Sequence, residues 1–270
     1  MKQKRFLIPL LMICFFCLSA CSNKASQQDI LSRIQKQDQH VITWGVKADT
    51  NLFGIYNIEA AELQGFDIDI AKALTAEMTQ GKGKAVFTEV TGKTRVPLLK
   101  NGNIDVIIAT MTITPERQKI VDFSSSYFDA GQSLLVPNNS PIQSVKDLTS
   151  KDKVLVVKGT TAAKHIKELA PQTGILELDT YNEAFTALAS GQGQAMSTDN
   201  SILLGLMKQN KGYKLVGGNF TEDPYGIAVN KGQKPLLNEI NRALETLHQN
   251  GTYDKLYLKW FGTLPPKEAK

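Results

Sequence analysis

From Val41 onward the sequence alternates short runs rich in β-branched residues with stretches whose apolar residues recur at helical spacing. The runs VITWGV, FDIDIAKALTAEM, AVFTEV, RVPLLKNG and IDVIIAT come first, and the same alternation returns as KVLVVKG, AAKHIKELA, GILEL, YNEAFTALASG and QAMST. Strands that alternate with helices in this way form a largely parallel sheet with helices packed on its faces. The sequence therefore predicts an α/β fold.

The N-terminus is typical of a secretory leader. Three cations among the first five residues precede the apolar run Phe6–Ala20, which is shorter than the roughly 20 residues that a membrane-spanning helix needs. The leader ends in the letters LSAC, which resemble the lipobox of bacterial lipoproteins. That resemblance implies that residues 1–20 are removed and that Cys21 is lipidated, which anchors the protein to the membrane. The alternative is an ordinary cleavage site that happens to precede a cysteine.

About 250 residues would remain after cleavage, which is more than one hydrophobic core comfortably covers, so we expect two lobes. Residues 21–40 are polar and Gln-rich, which favours a flexible tether between the lipid and the first lobe. An ordered helix over Ile30–Ile34 is the alternative for part of this segment.

Charge and cysteine content exclude several classes of function. Loss of the three leader cations lowers the formal net charge from +5 to +2, so the composition offers no electrostatic basis for a nucleic-acid partner. Cys14 and Cys17 lie in the leader, which leaves no disulfide and no thiolate metal site. The three histidines are scattered, and we expect neither a metal nor a cofactor.

The segments GFDIDIAKAL (65–74) and GNIDVIIATMTITPERQKIVDFSSSYF (102–128) closely resemble the family 3 extracellular solute-binding proteins, the polar amino acid receptors of ABC importers. The resemblance extends from about residue 41 to residue 261 through GVKADTNLFG, VVKGTT, STDNSILLG and PYGIAV. It is strongest to the glutamine- and glutamate-binding lipoproteins of Gram-positive bacteria.

The resemblance implies the type II periplasmic-binding-protein fold, in which two α/β lobes are joined by two hinge crossings and hold the ligand between them. Lobe 1 would comprise residues 41–128 and 225–270, and lobe 2 residues 133–221. The crossings would be residues 129–132 and 222–224.

The motif TITPER carries the first candidate site residue. Thr114 and Pro115 suit the cap and first position of a helix, which would place Arg117 at the start of that helix. A guanidinium group can hold a carboxylate with two hydrogen bonds. The resemblance implies that Arg117 binds the ligand α-carboxylate together with Thr112. The alternative is a surface arginine that balances a nearby acidic side chain.

Two further candidates come from lobe 2. Gly159, Thr160 and Thr161 lie between a strand and a helix, and free N–H groups at that helix start favour an anion, so Thr161 can approach the same carboxylate from the opposite side. Asp199 ends the strand AMSTD, and the resemblance implies that it pairs with the ligand α-ammonium, helped by main-chain acceptors around Thr110. Helix capping is the structural alternative for both lobe 2 residues.

The remaining candidates would surround the ligand side chain. The resemblance matches Asp49 to a cleft aspartate and makes Phe53 part of the wall, whereas Lys47 and Arg95 match positions that reach the side chain in acidic amino acid receptors. Many relatives carry a stacking aromatic ring where this chain has Gly92. Two cations favour a carboxylate, yet they can also donate to an amide oxygen, so glutamine and glutamate are both expected, with aspartate behind them.

We expect a monomeric, non-enzymatic receptor that closes around its amino acid and delivers it to a membrane permease driven by a separate ATPase. Two other functions remain open: an enzyme of the same fold acting on a small carboxylic acid, such as a dehydratase, and a lipoprotein adhesin. The letters GKT at 92–94 suggest a phosphate-binding loop, but Phe87 stands where that loop needs its first glycine. We therefore predict a loop at the cleft.

Overall fold

The computed structural model describes residues 29–266 as two five-stranded sheets, one three-stranded sheet and the helices that cover them. The strands are β1 (Val41–Val46), β2 (Asp49–Thr50), β3 (Gly54–Asn57), β4 (Glu62–Gln64), β5 (Lys84–Glu89), β6 (Val106–Ile107), β7 (Val121–Phe128), β8 (Gln132–Pro137), β9 (Lys153–Val157), β10 (Gly174–Leu178), β11 (Ala195–Asp199), β12 (Tyr213–Val216) and β13 (Tyr225–Asn230). The helices are α1 (Ile30–Lys36), α2 (Phe66–Met78), α3 (Arg95–Lys100), α4 (Pro115–Gln118), α5 (Ala162–Leu169), α6 (Tyr181–Ala189), α7 (Asn200–Gln209), α8 (Lys234–Gln249) and α9 (Thr252–Phe261).

The two large sheets have the same mixed topology. The first has the order β5-β1-β6-β13-β7, with β1 parallel to β5 and β6, and with β13 antiparallel to β6 and β7. The second has the order β10-β9-β11-β8-β12, with β9 parallel to β10 and β11, and with β8 antiparallel to β11 and β12. The chain therefore passes from the first sheet to the second after β7 and returns before β13. This arrangement confirms the predicted α/β fold of two lobes.

Helix α2 shows why the spacing in the sequence was informative. It covers the predicted segment, and Ile68, Ala71 and Leu74 are fully buried on the side that packs against β1, β5 and α8. Burying an Ile or Leu side chain stabilises the fold by roughly 1.5–3 kcal/mol. The stripe is therefore explained by packing alone.

The N-terminal segment of the described chain corrects the predicted tether. Asp29 caps α1 by accepting a hydrogen bond from the Leu31 N–H (3.1 Å), and the Ile34 side chain is only 2% exposed within the core. Arg33 forms an ion pair with Asp105, so the helix is fixed to the first lobe. Residues 29–40 thus belong to the fold, as the alternative of an ordered helix predicted. Cys21 and residues 21–28 lie outside the described residues.

Within residues 29–266, no helix is both long and apolar enough to cross a membrane.

Candidate ligand site between the lobes

The start of α4 positions Arg117. The Thr114 hydroxyl caps this helix by accepting from the Arg117 N–H (3.2 Å), and Pro115 occupies the first helical position, which confirms the predicted helix start. The Arg117 guanidinium donates to the Thr112 carbonyl (2.7 Å) and, across the cleft, to the Gly159 carbonyl (2.9 Å). Arg117 therefore joins the first lobe to the turn between β9 and α5.

Arg95 converges on the same carbonyl. Its Nη1 donates to the Ala109 carbonyl (2.8 Å) and its Nη2 to the Gly159 carbonyl (3.3 Å), while its Nε is buried without a hydrogen-bond partner in the described chain. Burial and the nearby Arg117 charge lower the pKa of Arg95 to about 9. Over residues 29–266 neither arginine has a carboxylate in salt-bridge contact. Two guanidinium groups that share one neutral acceptor create a region that favours an anion.

Two glycines allow the lobes to approach each other closely here. A Cβ on Gly92 would lie 2.6 Å from the Lys158 carbonyl oxygen, and a Cβ on Gly159 would lie 2.4 Å from the Gly92 carbonyl oxygen. Gly159 also has a φ of +76°, in the left-handed region that favours glycine. The GKT segment is therefore an interlobe contact in this structure.

Asp199 lies at the end of β11, and its two carboxylate oxygens have different partners. Oδ1 accepts from Gln132 Nε2 (2.5 Å) and Oδ2 accepts from the Tyr225 hydroxyl (2.5 Å), which comes from the first sheet. The carboxylate makes no capping bond to α7, although Asp199 stands at its N-cap position. Burial raises the pKa of Asp199 to about 7, although the hydrogen bond from Tyr225 favours the ionised form and acts in the opposite direction. The capping alternative is thus not what fixes this carboxylate.

Thr161 lies close to the same network. It occupies the N-cap position of α5 without a side-chain capping bond, and its hydroxyl accepts from Gln132 Nε2 (3.3 Å). Gln132 therefore links Thr161 to Asp199. No motif in the sequence distinguishes Gln132, because its importance follows from its place at the first residue of β8 beside the crossing.

Thr110 and Thr112 shape the first-lobe side of the site through their backbone. Thr110 has a φ of +44°, and its N–H donates to Asp67 Oδ2 (3.1 Å), while Asp67 Oδ1 accepts from the Tyr127 hydroxyl (2.9 Å). Burial raises the pKa of Asp67 to about 7 even though both donors favour its charge. Thr112 forms an isolated bridge with Tyr225, so its carbonyl reaches Arg117 from a fixed position.

Lys47 and Asp49 form an ion pair with each other. Lys47 Nζ lies 2.7 Å from Asp49 Oδ1, and the lysine is only 2% exposed. Burial lowers the pKa of Lys47, although Asp49 acts in the opposite direction. Asp49 Oδ2 accepts from the Tyr181 N–H (3.0 Å) of the second lobe. The contact between Tyr181 and Asp49 was not predicted from the sequence, because only the fold brings these two residues together.

Phe53 is fully buried, and its ring packs against four others, at centroid distances of 5.0 to 6.3 Å from Phe66, Phe128, Tyr225 and Phe261. The structure therefore gives this residue a place in the core, and its contact with a ligand stays a prediction.

A cavity of about 340 Å³ opens between α4 and the start of α5 and includes Arg117 and Thr161 in its lining. A second cavity of about 390 Å³ lies beside the end of β7 and α9 and contains none of the candidate residues. In the described part of the chain, no group of three or more His, Cys, Asp and Glu side chains is placed to hold a metal ion. The chemistry of the cleft is that of buried cations facing a buried carboxylate, which suits a ligand carrying both charges.

The family model for bacterial extracellular solute-binding proteins, family 3, matches residues 42–263. The chain belongs to this family. Its members are solute-binding proteins rather than enzymes, and the two mixed sheets are those of the type II periplasmic-binding-protein fold.

Several relatives of this solute-binding protein are similar over most of their length. The ABC transporter glutamine-binding protein GlnH of Bacillus subtilis (strain 168) is 53% identical over 239 residues, which cover 88% of this chain and 87% of the relative. The glutamine-binding protein of Geobacillus stearothermophilus is 50% identical over 204 residues, covering 76% and 77%. The structure of an ancestral arginine-binding protein bound to glutamine matches with a TM-score of 0.77 at 44% identity, covering 82% of this chain and 98% of that one.

Proposed function

We propose that this extracellular solute-binding protein is the receptor of an ABC importer and that its ligand is glutamine. The observation that carries the proposal is the pairing of unlike charges across the cleft. Arg117 and Arg95 of the first lobe converge on Gly159, and Asp199 of the second lobe is buried within hydrogen-bond distance of a first-lobe tyrosine. An α-amino acid is a small solute with a carboxylate for Arg117 and an ammonium for Asp199.

The roles follow from chemistry and position. Arg117, with Thr112, binds the α-carboxylate from lobe 1, and the backbone around Thr161 approaches it from lobe 2. Asp199 binds the α-ammonium beside the main chain at Thr110. Arg95 lies at the far end of the ligand, where its Nε has no partner in the described residues and can donate to a side-chain oxygen.

Glutamine is preferred over glutamate for two reasons. The two bacterial relatives described above are named as glutamine-binding proteins. In addition, Asp49 lies 2.7 Å from Lys47 and cancels its charge, so one of the two distal cations is already neutralised. With only one distal cation left unneutralised, a neutral amide fits the site better than a second carboxylate does, and glutamate is therefore the second candidate.

The ligand favours the closed form because it contacts both lobes. The closed form then delivers the amino acid to a membrane permease whose ATPase supplies the energy. The name of one relative, an ABC transporter glutamine-binding protein, supports this role. We further propose a monomer held at the membrane by lipidated Cys21 after cleavage of residues 1–20. We also propose lobe limits of 41–128 with 225–270 and 133–221, joined at 129–132 and 222–224, with helix α1 packed on the first lobe.

Calorimetry with glutamine, glutamate and aspartate tests this function. We expect saturable binding with the tightest dissociation constant for glutamine, in the micromolar range or below, which corresponds to at least about 8 kcal/mol. Mass spectrometry of material co-purifying with the native protein gives an independent result. Absence of heat with all three amino acids would contradict the proposal.

A further inference from the structure

The Lys47–Asp49 ion pair lies in the first lobe, yet it is held from the second. Lys47 is the first residue after β1, and Asp49 begins β2, whereas Tyr181 is the first residue of α6 beside the second sheet. Asp49 Oδ2 accepts from the Tyr181 N–H at 3.0 Å, and Lys47 Nζ lies 5.1 Å from the centroid of the Tyr181 ring. One residue of lobe 2 therefore contacts both members of the pair.

The N-terminus of α6 explains why the amide of Tyr181 is free to make this contact. The Thr180 hydroxyl accepts from the Glu183 N–H (3.1 Å), and the Glu183 carboxylate accepts in return from the Thr180 N–H (3.3 Å). This capping box leaves the N–H at the first helical position without an intrahelical acceptor. The helix dipole favours a carboxylate at that point, and Asp49 of the other lobe supplies it.

Both carboxylate oxygens of Asp49 have partners. Oδ1 faces Lys47 Nζ at 2.7 Å and accepts from the Thr50 hydroxyl at 3.0 Å, while Oδ2 faces Tyr181. The Tyr181 ring is almost fully buried, so it shields the lysine from water as well as facing its charge. A cation over an aromatic face is stabilised most when it is desolvated.

We propose that Tyr181 is a positioning residue that clasps the Lys47–Asp49 pair across the cleft, so that lobe closure and neutralisation of Lys47 occur together. The proposal rests on the proposed function for the identity of the ligand, but the clasp itself needs no ligand. It stabilises the closed form in the unliganded protein, and it keeps the distal end of the site suited to a neutral amide.

A matched pair of variants isolates the interlobe hydrogen bond. Tyr181→Ala and Tyr181→Pro both remove the ring, but only proline also removes the N–H. Proline is tolerated at the first position of a helix, and the φ of −131° and ψ of 162° at Thr180 lie close to the region that a residue before proline adopts. Asp49→Asn, introduced into each variant, completes a double-mutant cycle.

The readout is the distance between the lobes in the full chain without ligand. Lys100→Cys on lobe 1 and Lys208→Cys on lobe 2 are exposed labelling positions for fluorescence energy transfer, and the native Cys14, Cys17 and Cys21 are changed to Ser so that only these two are labelled. Bound amino acid is removed first by reversible unfolding and dialysis. Calorimetric titration with glutamine is carried out on the same proteins.

With Asp49 intact, we expect the ratio of closed to open protein to be about tenfold lower for Tyr181→Pro than for Tyr181→Ala, because a charged hydrogen bond is lost. With Asp49→Asn, the difference should fall below about threefold. Equal ratios for the two Tyr181 variants with Asp49 intact would overturn the clasp. Absence of glutamine binding in the unmodified protein would instead refute the proposed ligand, and the distance measurement would still decide the clasp.

Discussion

Replacing Asp199 by Asn removes the negative charge that we propose for the ligand ammonium while keeping the shape of the side chain. The donors that hold the carboxylate are Gln132 Nε2 and the Tyr225 hydroxyl, each at 2.5 Å. The Asn side-chain oxygen can accept from Gln132 Nε2, and the Tyr225 hydroxyl can rotate to accept from the Asn side-chain NH₂ group. The Asp199→Asn variant should therefore fold with both hydrogen-bond partners in place.

The expected loss of affinity follows from the burial of the site. A hydrogen bond to a charged partner contributes roughly 1.5–3 kcal/mol net, which corresponds to a dissociation constant about 10- to 150-fold weaker when the charge is removed. Asp199 is only 4% exposed, so screening by solvent and salt should do little to reduce this effect.

Isothermal titration with glutamine measures the effect directly, and thermal unfolding without ligand reports on the fold. Asp254→Asn is a matched control, because it removes an exposed carboxylate from α9, which contributes none of the candidate residues. We expect unchanged affinity for the control. If Asp199→Asn binds glutamine within threefold of the unmodified protein while it melts normally, Asp199 does not pair with the ligand ammonium.

Three other changes test different parts of the cleft. Arg117→Ala should weaken glutamine binding by more than 100-fold and Arg117→Lys by less, since lysine keeps the charge without the planar fork. If both variants bind glutamine as tightly as the unmodified protein in calorimetry, Arg117 does not contact the ligand carboxylate. Gly92→Ala places a Cβ 2.6 Å from the Lys158 carbonyl oxygen at the contact between the lobes, so the affinity for glutamine should fall at least about tenfold. Unchanged affinity in calorimetry would mean that ligand binding does not require this contact. Because burial raises the pKa of Asp199 to about 7 in the closed form, above the value near 3.9 of an exposed carboxyl, the closed form binds a proton more strongly. The closed fraction of unliganded protein, followed by interlobe energy transfer, should therefore rise as the pH falls from 8 to 5, and Asp199→Asn should remove this dependence.

The helices that local pattern determines were predictable, whereas the one that depends on distant partners was predicted only as an alternative. Helix α2 follows from the spacing of its apolar residues, and the start of α4 follows from Thr114 and Pro115. Helix α1 was expected to be part of a tether because its sequence is polar. It is held instead by Ile34 in the core and by the ion pair of Arg33 with Asp105, which lies 72 residues away in the chain.

The residues of the candidate site also differ in whether local sequence could indicate them. Arg117 and Asp199 are marked by motifs, since a helix start or a strand end next to them gives each a recognisable local context. Tyr181 and Gln132 act across the fold: Tyr181 bonds to Asp49 over 132 positions, and Gln132 bonds to Asp199 over 67. The first contact follows from how the lobes close and the second from the pairing of β8 with β11, and no local pattern in one sequence encodes either.

The charges of the cleft explain why the residue types alone left glutamine and glutamate undecided. Lys47 and Arg95 count as two cations in the sequence, and two cations favour an acidic side chain. In the folded protein, Lys47 is 2.7 Å from Asp49, and that carboxylate is fixed in turn by the Tyr181 amide, so the pair contributes little net charge to the ligand. Arg95 remains, and two of its three nitrogens already donate to backbone carbonyls. Its Nε–H, which has no partner in the described chain, can donate to the carbonyl oxygen of an amide. The glutamine preference that we propose therefore depends on Asp49, whose own contacts are with the protein.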